Sequence, residues 1–147
     1  MVRSVDLRAV AEDNWEACTA IRPAAGQERF VAPVAFYLCM CHYGRTWRPL
    51  AIHSGADVVG FVMWAVDPED GSHWIGGLVI DAERQGEGHG RAAMEALLKR
   101  FRALGAGEAA LSYEPDNERA RALYASLGFR ETDERAEGEV VARLGLR

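Results

Sequence analysis

Three glycines alternate with other residues at one point in the sequence, between an apolar segment and an amphipathic one. Gly86, Gly88 and Gly90 come shortly after the apolar segment 74–80, and the segment 90–104 has apolar residues at helical spacing. Glycine lets a backbone approach a ligand closely and adopt positive φ. A helix N-terminus carries unpaired N–H groups and a positive partial charge, so it binds phosphate. A strand, a glycine loop and a helix in this order predict a cradle for a diphosphate.

Two other phosphate-binding patterns fit this segment poorly. A Rossmann fingerprint needs Gly-x-Gly-x-x-Gly in the first strand–helix unit, whereas the spacing here is Gly-x-Gly-x-Gly and lies past the middle of the chain. A P-loop needs Gly-Lys followed by Ser or Thr, which this segment lacks. A glycine-rich helix entry that binds no ligand stays open as the structural alternative.

Two separated signatures resemble those of the GNAT superfamily of N-acetyltransferases. The first, Gln/Arg-x-x-Gly-x-Gly/Ala, is matched by Gln85, Gly88 and Gly90. The second, Asn-x-x-Ala followed by Tyr and Gly-Phe, is matched by Asn117, Ala120, Tyr124, Gly128 and Phe129. A predicted helix and strand separate the two signatures, as the family requires. The resemblance covers nearly the whole chain and is most specific over residues 74–129.

The resemblance implies acetyl-CoA as the co-substrate. The pantetheine arm would hydrogen-bond the backbone of the fourth strand at Leu78, Val79 and Ile80. The N–H groups of the following loop would hold the diphosphate; the loop residues are Gln85, Gly86, Glu87, Gly88, His89, Gly90 and Arg91. Asn117 would contact the cofactor and also cap a helix. The implied fold is α+β, a mixed and mostly antiparallel sheet that splays between strands 4 and 5, with about four flanking helices.

Tyr124 lies where GNAT enzymes place a tyrosine that protonates the departing CoA thiolate. A phenol suits this task because its pKa, about 10, lies near that of a thiol, about 8.5. The structural alternative is that Tyr124 only packs on the apolar face of its helix.

The general base is less clearly marked. Many relatives use a glutamate on the fourth strand, but this chain has Gly76 and Gly77 there. Glu114, after the fifth strand, and Asp81, after the fourth, remain as candidates that would act through water. The alternative for each residue is a solvated strand end without a catalytic role.

The acceptor implied by the closest resemblance, to bacterial spermine/spermidine acetyltransferases, is a polyamine. That resemblance is carried by four segments: 27–32, 74–75, 112–117 and 123–129. The first two helices would line the acceptor side, where Glu12, Glu16 and Glu28 could bind a cation. The alternative for Glu16 in particular is a helix-start acid favoured by the dipole. Another amine acceptor, such as an aminoglycoside-like drug, an amino acid or a protein N-terminus, stays open, as does a non-catalytic acetyl-CoA-binding module.

Composition narrows the class of protein. The 147 residues fit one domain, residues 1–147, large enough to fold without disulfides or metal. The chain has 22 acidic and 17 basic residues and a net charge of -5, which makes it unsuited to nucleic acid as its main partner.

No apolar run is long enough to span a membrane, and Met1–Val10 lacks a signal-peptide core, so we expect a cytoplasmic protein. The histidines show no metal-ligand spacing, and we expect no metal. The resemblance favours a homodimer.

Hydrophobic periodicity predicts one order of elements, β-α-α-β-β-β-α-β-α-β-β. The helices are expected from a capping box at Asp13–Glu16 to about Ile21, over Pro33–Tyr43, over Gly90–Leu104 with Leu104 on its apolar face, and after the Asn117 cap. The strands are expected at Ser4–Val10, Arg48–His53, Val58–Val66, His73–Ile80, Glu108–Tyr113, from Phe129 and over Val140–Leu146. The pair Gly76–Gly77 predicts a bulge. Three cysteines, Cys18, Cys39 and Cys41, exclude a complete disulfide framework. Cys39 and Cys41 lie two apart in a predicted helix and so point to different faces, and we expect core thiols rather than a metal site.

Overall fold

The computed structural model describes residues 4–147; residues 1–3 of the expected domain lie outside the described residues. The elements follow the predicted order. The strands are β1 (Asp6–Ala9), β2 (Arg48–Ser54), β3 (Asp57–Val66), β4 (His73–Ile80), β5 (Glu108–Tyr113), β6 (Arg130–Ala136) and β7 (Glu139–Gly145). The helices are α1 (Trp15–Thr19), α2 (Val34–Gly44), α3 (His89–Ala103) and α4 (Glu118–Ser126). Two short 3₁₀ turns, Glu28–Phe30 and Ala82–Arg84, were not predicted.

All described strands form one sheet, in the order β1-β2-β3-β4-β5-β7-β6. The pairs are antiparallel except β4 with β5, which is parallel and ends at the pair Ile75–Leu111. Beyond this pair the two strands diverge, which confirms the predicted splay. The predicted bulge is also present: the β3–β4 register shifts between Phe61 and Met63, and Gly77 has a φ of +63°. This positive φ is unfavourable for other residues, so glycine is needed where β4 turns away from β5.

Each face of the sheet is covered by one pair of helices. On one face, α3 buries Met94, Leu97 and Phe101 against the central strands. On the other face, α1 and α2 cover a smaller cluster that includes Cys18, Cys41 and Phe61. The two faces are therefore covered by different elements, and β4 and β5 separate between them.

Three local expectations were wrong. Asn14, not Asp13, precedes α1, and its Oδ1 accepts from the N–H of Ala11 at 2.8 Å rather than capping the helix. Cys39 is exposed, since residues two apart on α2 cannot both face the sheet. Leu104 is 58% exposed because it follows the last residue of α3 and leaves the helix's apolar face.

Candidate active site

A cleft of about 410 Å³ opens where β4 leaves β5, between the glycine loop and α4. It brings together eleven of the residues predicted from sequence. These are Leu78, Val79, Ile80, Gln85, Gly86, Gly88, His89, Gly90, Arg91, Asn117 and Tyr124. Glu87 is the one predicted loop residue that does not border the cleft.

The β5-facing edge of β4 presents backbone groups to this cleft. In the described chain, β4 pairs with β3 as far as Ile80, but with β5 only as far as Ile75. The carbonyl of Ile80 receives the side-chain amide of Gln85 at 3.0 Å. Backbone groups at such an edge need partners. An extended ligand with amides can therefore add to β4 as another strand would.

The glycine loop ends in a helix N-terminus that faces the cleft. Gly88 is the N-cap of α3, with a φ of +83°, and no side chain caps the helix. The first bond within α3 runs from the N–H of Ala92 to the carbonyl of Gly88. The N–H groups of His89, Gly90 and Arg91 precede it and are free for an anion. Nothing lies within 4 Å of a Cβ built at Gly88, so the approach is open.

The side chains of Glu87 and His89 pair with each other within the loop. The buried ring of His89 lies with Nε2 2.7 Å from Oε1 of Glu87, and the same oxygen accepts from Nε of Arg84 at 3.2 Å. His89 was expected to offer its backbone rather than its ring to a ligand. It lies at the start of α3 with its ring buried, and the use of its backbone by a ligand stays a prediction.

Arginine side chains and a hydrogen-bonded glutamine lie at the mouth of the cleft, and most of these contacts were not predicted from the sequence. Arg84 and Arg119 border the cleft beside the predicted Arg91. Gln85 joins three elements: its amide donates to Gln27 at 3.0 Å, and its oxygen accepts from Arg119 at 3.3 Å. A signal for Arg119 existed, because a basic residue in the first turn of a helix opposes the dipole and is unusual without another role.

Tyr124 projects from α4 into the same cleft. Its ring lies 5.7 Å from that of Tyr113 and 6.1 Å from that of Phe129, centroid to centroid. Burial raises the pKa of its phenol, and the neighbouring Tyr113 and Glu139 raise it further. The hydroxyl stays protonated near neutral pH and bonds no described residue, so its proton is available to a group bound in the cleft.

Comparison with known proteins agrees with this geometry. The sequence model of the acetyltransferase (GNAT) family matches residues 7–129. The chain belongs to the acetyltransferase (GNAT) family. The spermine/spermidine N(1)-acetyltransferase of Bacillus subtilis (strain 168) is 28% identical over 138 residues, covering 86% of this chain and 88% of that protein.

Two solved structures share the GNAT fold of this chain. One is the ribosomal-protein-S18-alanine N-acetyltransferase from Escherichia coli, with a TM-score of 0.73 and 19% identity, covering 97% of this chain and 94% of that one. The other is the PaiA N-acetyltransferase from Thermoplasma acidophilum in complex with coenzyme A, with a TM-score of 0.73 and 11% identity, covering 97% and 99%. At these identities the similarity establishes the fold alone.

The predicted cap at Asn117 is confirmed, whereas its contact with the cofactor stays a prediction. Its Oδ1 accepts from the N–H of Ala120 at 3.3 Å, which caps α4, and Asn117 borders the cleft.

The two candidate bases, Asp81 and Glu114, differ in their contacts. The Asp81 carboxylate accepts from the N–H groups of Arg22 and Glu83, so it holds the loop after β4 in place. Glu114 directly follows β5 and is half-buried, but it does not border the cleft.

The three predicted acceptor-binding acids of the GNAT domain are not brought together. Glu28 lines a second cavity of about 390 Å³, which shares Pro23, Val31 and Val79 with the cleft. Its Oε2 accepts from the N–H of Gly26 at 2.8 Å. Glu12 and Glu16 are exposed and border neither of these cavities.

Across residues 4–147, no helix combines the length and apolar character needed to cross a membrane. The same residues contain no group of three or more His, Cys, Asp or Glu side chains that could hold a metal ion.

Proposed function

We propose that this protein is an acetyl-CoA-dependent N-acetyltransferase that acetylates a primary amine, a polyamine such as spermidine or spermine. The observation that carries the proposal is the meeting of three features in one cleft: the free edge of β4, the glycine loop at the N-terminus of α3, and the hydroxyl of Tyr124. Acyl transfer from a thioester uses each of them.

The cleft residues fit acetyl-CoA. The edge Leu78–Ile80 offers amide groups to the pantetheine arm, and the N–H groups at the start of α3 offer donors to the diphosphate. Arg84, Arg91 and Arg119 add positive charge at the mouth. Acetyl-CoA supplies the acetyl group as a thioester. The loop carboxylate of Glu87 is turned towards Arg84 and His89, which limits its repulsion of phosphate.

Tyr124 is the proposed acid in a direct attack of the amine nitrogen on the thioester carbonyl. As the C–S bond breaks, the Tyr124 hydroxyl donates its proton to the departing sulfur. The phenol is protonated before the step, and because burial raises its pKa, the proton moves to the sulfur only as negative charge develops there. Glu114 is the proposed acceptor, through water, of the proton that the ammonium must lose before nitrogen can attack.

Two observations support a polyamine acceptor. The Bacillus subtilis spermine/spermidine N(1)-acetyltransferase matches 86% of the chain. The chain also has a net charge of -5, and Glu28 lines a cavity that adjoins the cleft. An acidic protein attracts a polycation over long range.

A CoA-release assay tests the proposal, with acetyl-CoA and a panel of spermidine, spermine, putrescine, an aminoglycoside and a peptide with a free N-terminus. Saturable turnover with a polyamine is the expected result. Turnover with only the aminoglycoside or the peptide would overturn the polyamine assignment and keep the chemistry. If no amine is acetylated while acetyl-CoA still binds, a non-catalytic binding module is the better description.

A further inference from the structure

Glu139, the first residue of β7, extends its carboxylate to the place where β4 and β5 separate. The hydroxyl of Ser112 donates to its Oε1 at 2.7 Å. Ser112 is the first β5 residue after the last β4–β5 pair, Ile75–Leu111. Because strand side chains alternate, Ser112 faces away from its neighbours Leu111 and Tyr113, which pack in the α3 cluster. The carboxylate therefore lies on the α2 face of the sheet, at the split.

Two tyrosines border this place from opposite faces. Tyr37 of α2 covers β4, since a Cβ built at Gly77 would lie 3.3 Å from its ring. Tyr124 of α4 reaches the split from the cleft side. Burial raises the pKa of each phenol, and the negative charge of Glu139 raises both further, although the N–H of Ala32 lowers that of Tyr37. One carboxylate thus acts on both phenols across the split.

The negative charge of Glu139 has no cation to neutralise it within residues 4–147. Arg143, the arginine of the same strand, pairs instead with Glu108 at 2.6 Å and Glu134 at 2.7 Å. Ser112 occupies only Oε1, and Oε2 accepts from no described group. The unbonded oxygen of this half-buried carboxylate is therefore available to an ammonium group placed beside it, which would gain a charge-assisted hydrogen bond.

We propose that Glu139, held by Ser112, is the carboxylate that binds the ammonium group of the acceptor amine, on the face of the sheet opposite the cofactor cleft. The proposal rests on the proposed N-acetyltransferase function and assigns its acceptor site. The amine would approach from the α2 face, where the Tyr37 ring packs over Gly77 and borders the split. Donor and acceptor would then meet at the gap between β4 and β5 from opposite sides.

The test compares Glu139→Gln with the wild type in steady-state kinetics on spermidine and acetyl-CoA. The glutamine variant keeps the shape and removes the charge. We expect KM for spermidine to rise by about tenfold or more, with KM for acetyl-CoA changed by less than about twofold. Glu137→Gln, an exposed acid of the same hairpin, is the matched control and should leave both constants unchanged. An unchanged KM for spermidine in Glu139→Gln would overturn the proposal.

Ser112→Ala separates positioning from charge. It should raise KM for spermidine by less than Glu139→Gln does, because the carboxylate remains but is less well held. Circular dichroism would check that each variant folds. If Glu139→Gln is unfolded, Glu139→Asp keeps the charge and shortens its reach, and it should still raise KM for spermidine.

A separate measurement distinguishes failure of this inference from failure of the proposed function. Spermidine is titrated calorimetrically into the protein loaded with CoA. If no amine is acetylated, the proposed function fails, yet binding that weakens about tenfold or more in Glu139→Gln would still support the ammonium site. If spermidine does not bind the wild type, or binds Glu139→Gln equally well, the site assignment is wrong.

Discussion

Nε2 of His89 lies 2.7 Å from Oε1 of Glu87, in the loop that leads into α3. The His89 side chain is fully buried, whereas that of Glu87 is 32% exposed. Glu87 also receives Nε of Arg84, so its charge is satisfied by side chains of its own loop. These side-chain contacts hold the loop in place, and its backbone N–H groups at the start of α3 face the cleft.

Glu87→Ala should destabilise the protein, because the buried His89 ring bonds no other described side chain. Loss of a buried hydrogen-bond partner lowers the free energy of unfolding by about 1–3 kcal/mol. Urea denaturation followed by circular dichroism would measure it. Glu83→Ala is the control, since its exposed side chain lies in the preceding turn and should change stability by no more than about 0.5 kcal/mol. Equal stability of the two variants would contradict the role of the Glu87–His89 pair.

Tyr124→Phe should lower kcat by about a hundredfold or more, because general-acid catalysis contributes about 10²–10⁴-fold. The ring contacts with Tyr113 and Phe129 are retained, so affinity for CoA should stay the same. Steady-state kinetics and calorimetry would report the two quantities. Tyr43→Phe, at an 80% exposed position, is the control. Undiminished kcat in Tyr124→Phe would show that the phenol is not the acid.

Gly88→Ala should weaken CoA binding. A residue with a Cβ is disfavoured at a φ of +83° by about 1–2 kcal/mol, so the loop would relax and shift the N-terminus of α3. Gly71→Ala has the same strain at a φ of +76° in the β3–β4 turn, away from the cleft. Both variants should lose similar thermal stability, but only Gly88→Ala should bind CoA more weakly by calorimetry. Parallel losses of affinity would indicate a general effect of destabilisation.

Arg119→Gln should lower CoA affinity several-fold and make it less sensitive to salt. Arg119 is exposed at the mouth of the cleft, where its attraction to phosphate is screened by ions. Calorimetric titrations at low and high ionic strength would measure both effects. Arg102→Gln, an exposed arginine of α3 outside the cleft, should behave as the wild type. A salt dependence identical to that of the wild type would exclude a phosphate contact.

Alkaline unfolding should depend on Tyr124. Burial raises its folded-state pKa above the unfolded value of 10.0. Below about pH 10 both states carry the proton and stability is unaffected; above it the unfolded state releases the proton first. Stability therefore falls as pH rises beyond that point. Tyr124→Phe should show a shallower fall in thermal midpoint at alkaline pH than Tyr43→Phe. Identical slopes would mean that the phenol ionises without unfolding.

Local patterns in the sequence were sufficient to predict most elements of this fold. Helical and strand periodicity set the order from β1 to β7, because each element has an apolar face that must be buried. The glycine loop and the Asn117 cap were also predictable, because each depends on residues that are neighbours in the sequence. Glycine permits the positive φ of the loop, and the side chain of Asn117 accepts from an unpaired N–H group of the helix that follows it. The resemblance then added what periodicity cannot provide, the proposed role of Tyr124.

The contacts that depend on distant segments were decided only by the tertiary structure. Gln27 and Arg119 meet through Gln85, and Glu139 reaches Ser112 across two paired strands. No short-range pattern carries such information, because it arises from the register of β5 with β7 and from the packing of the segment before α2 against the glycine loop. The same limit explains the errors at Cys39 and Leu104, whose exposure depends on helix rotation and helix ends. The sequence alone determined the elements and the glycine loop, whereas packing determined which charged side chains meet at the split between β4 and β5.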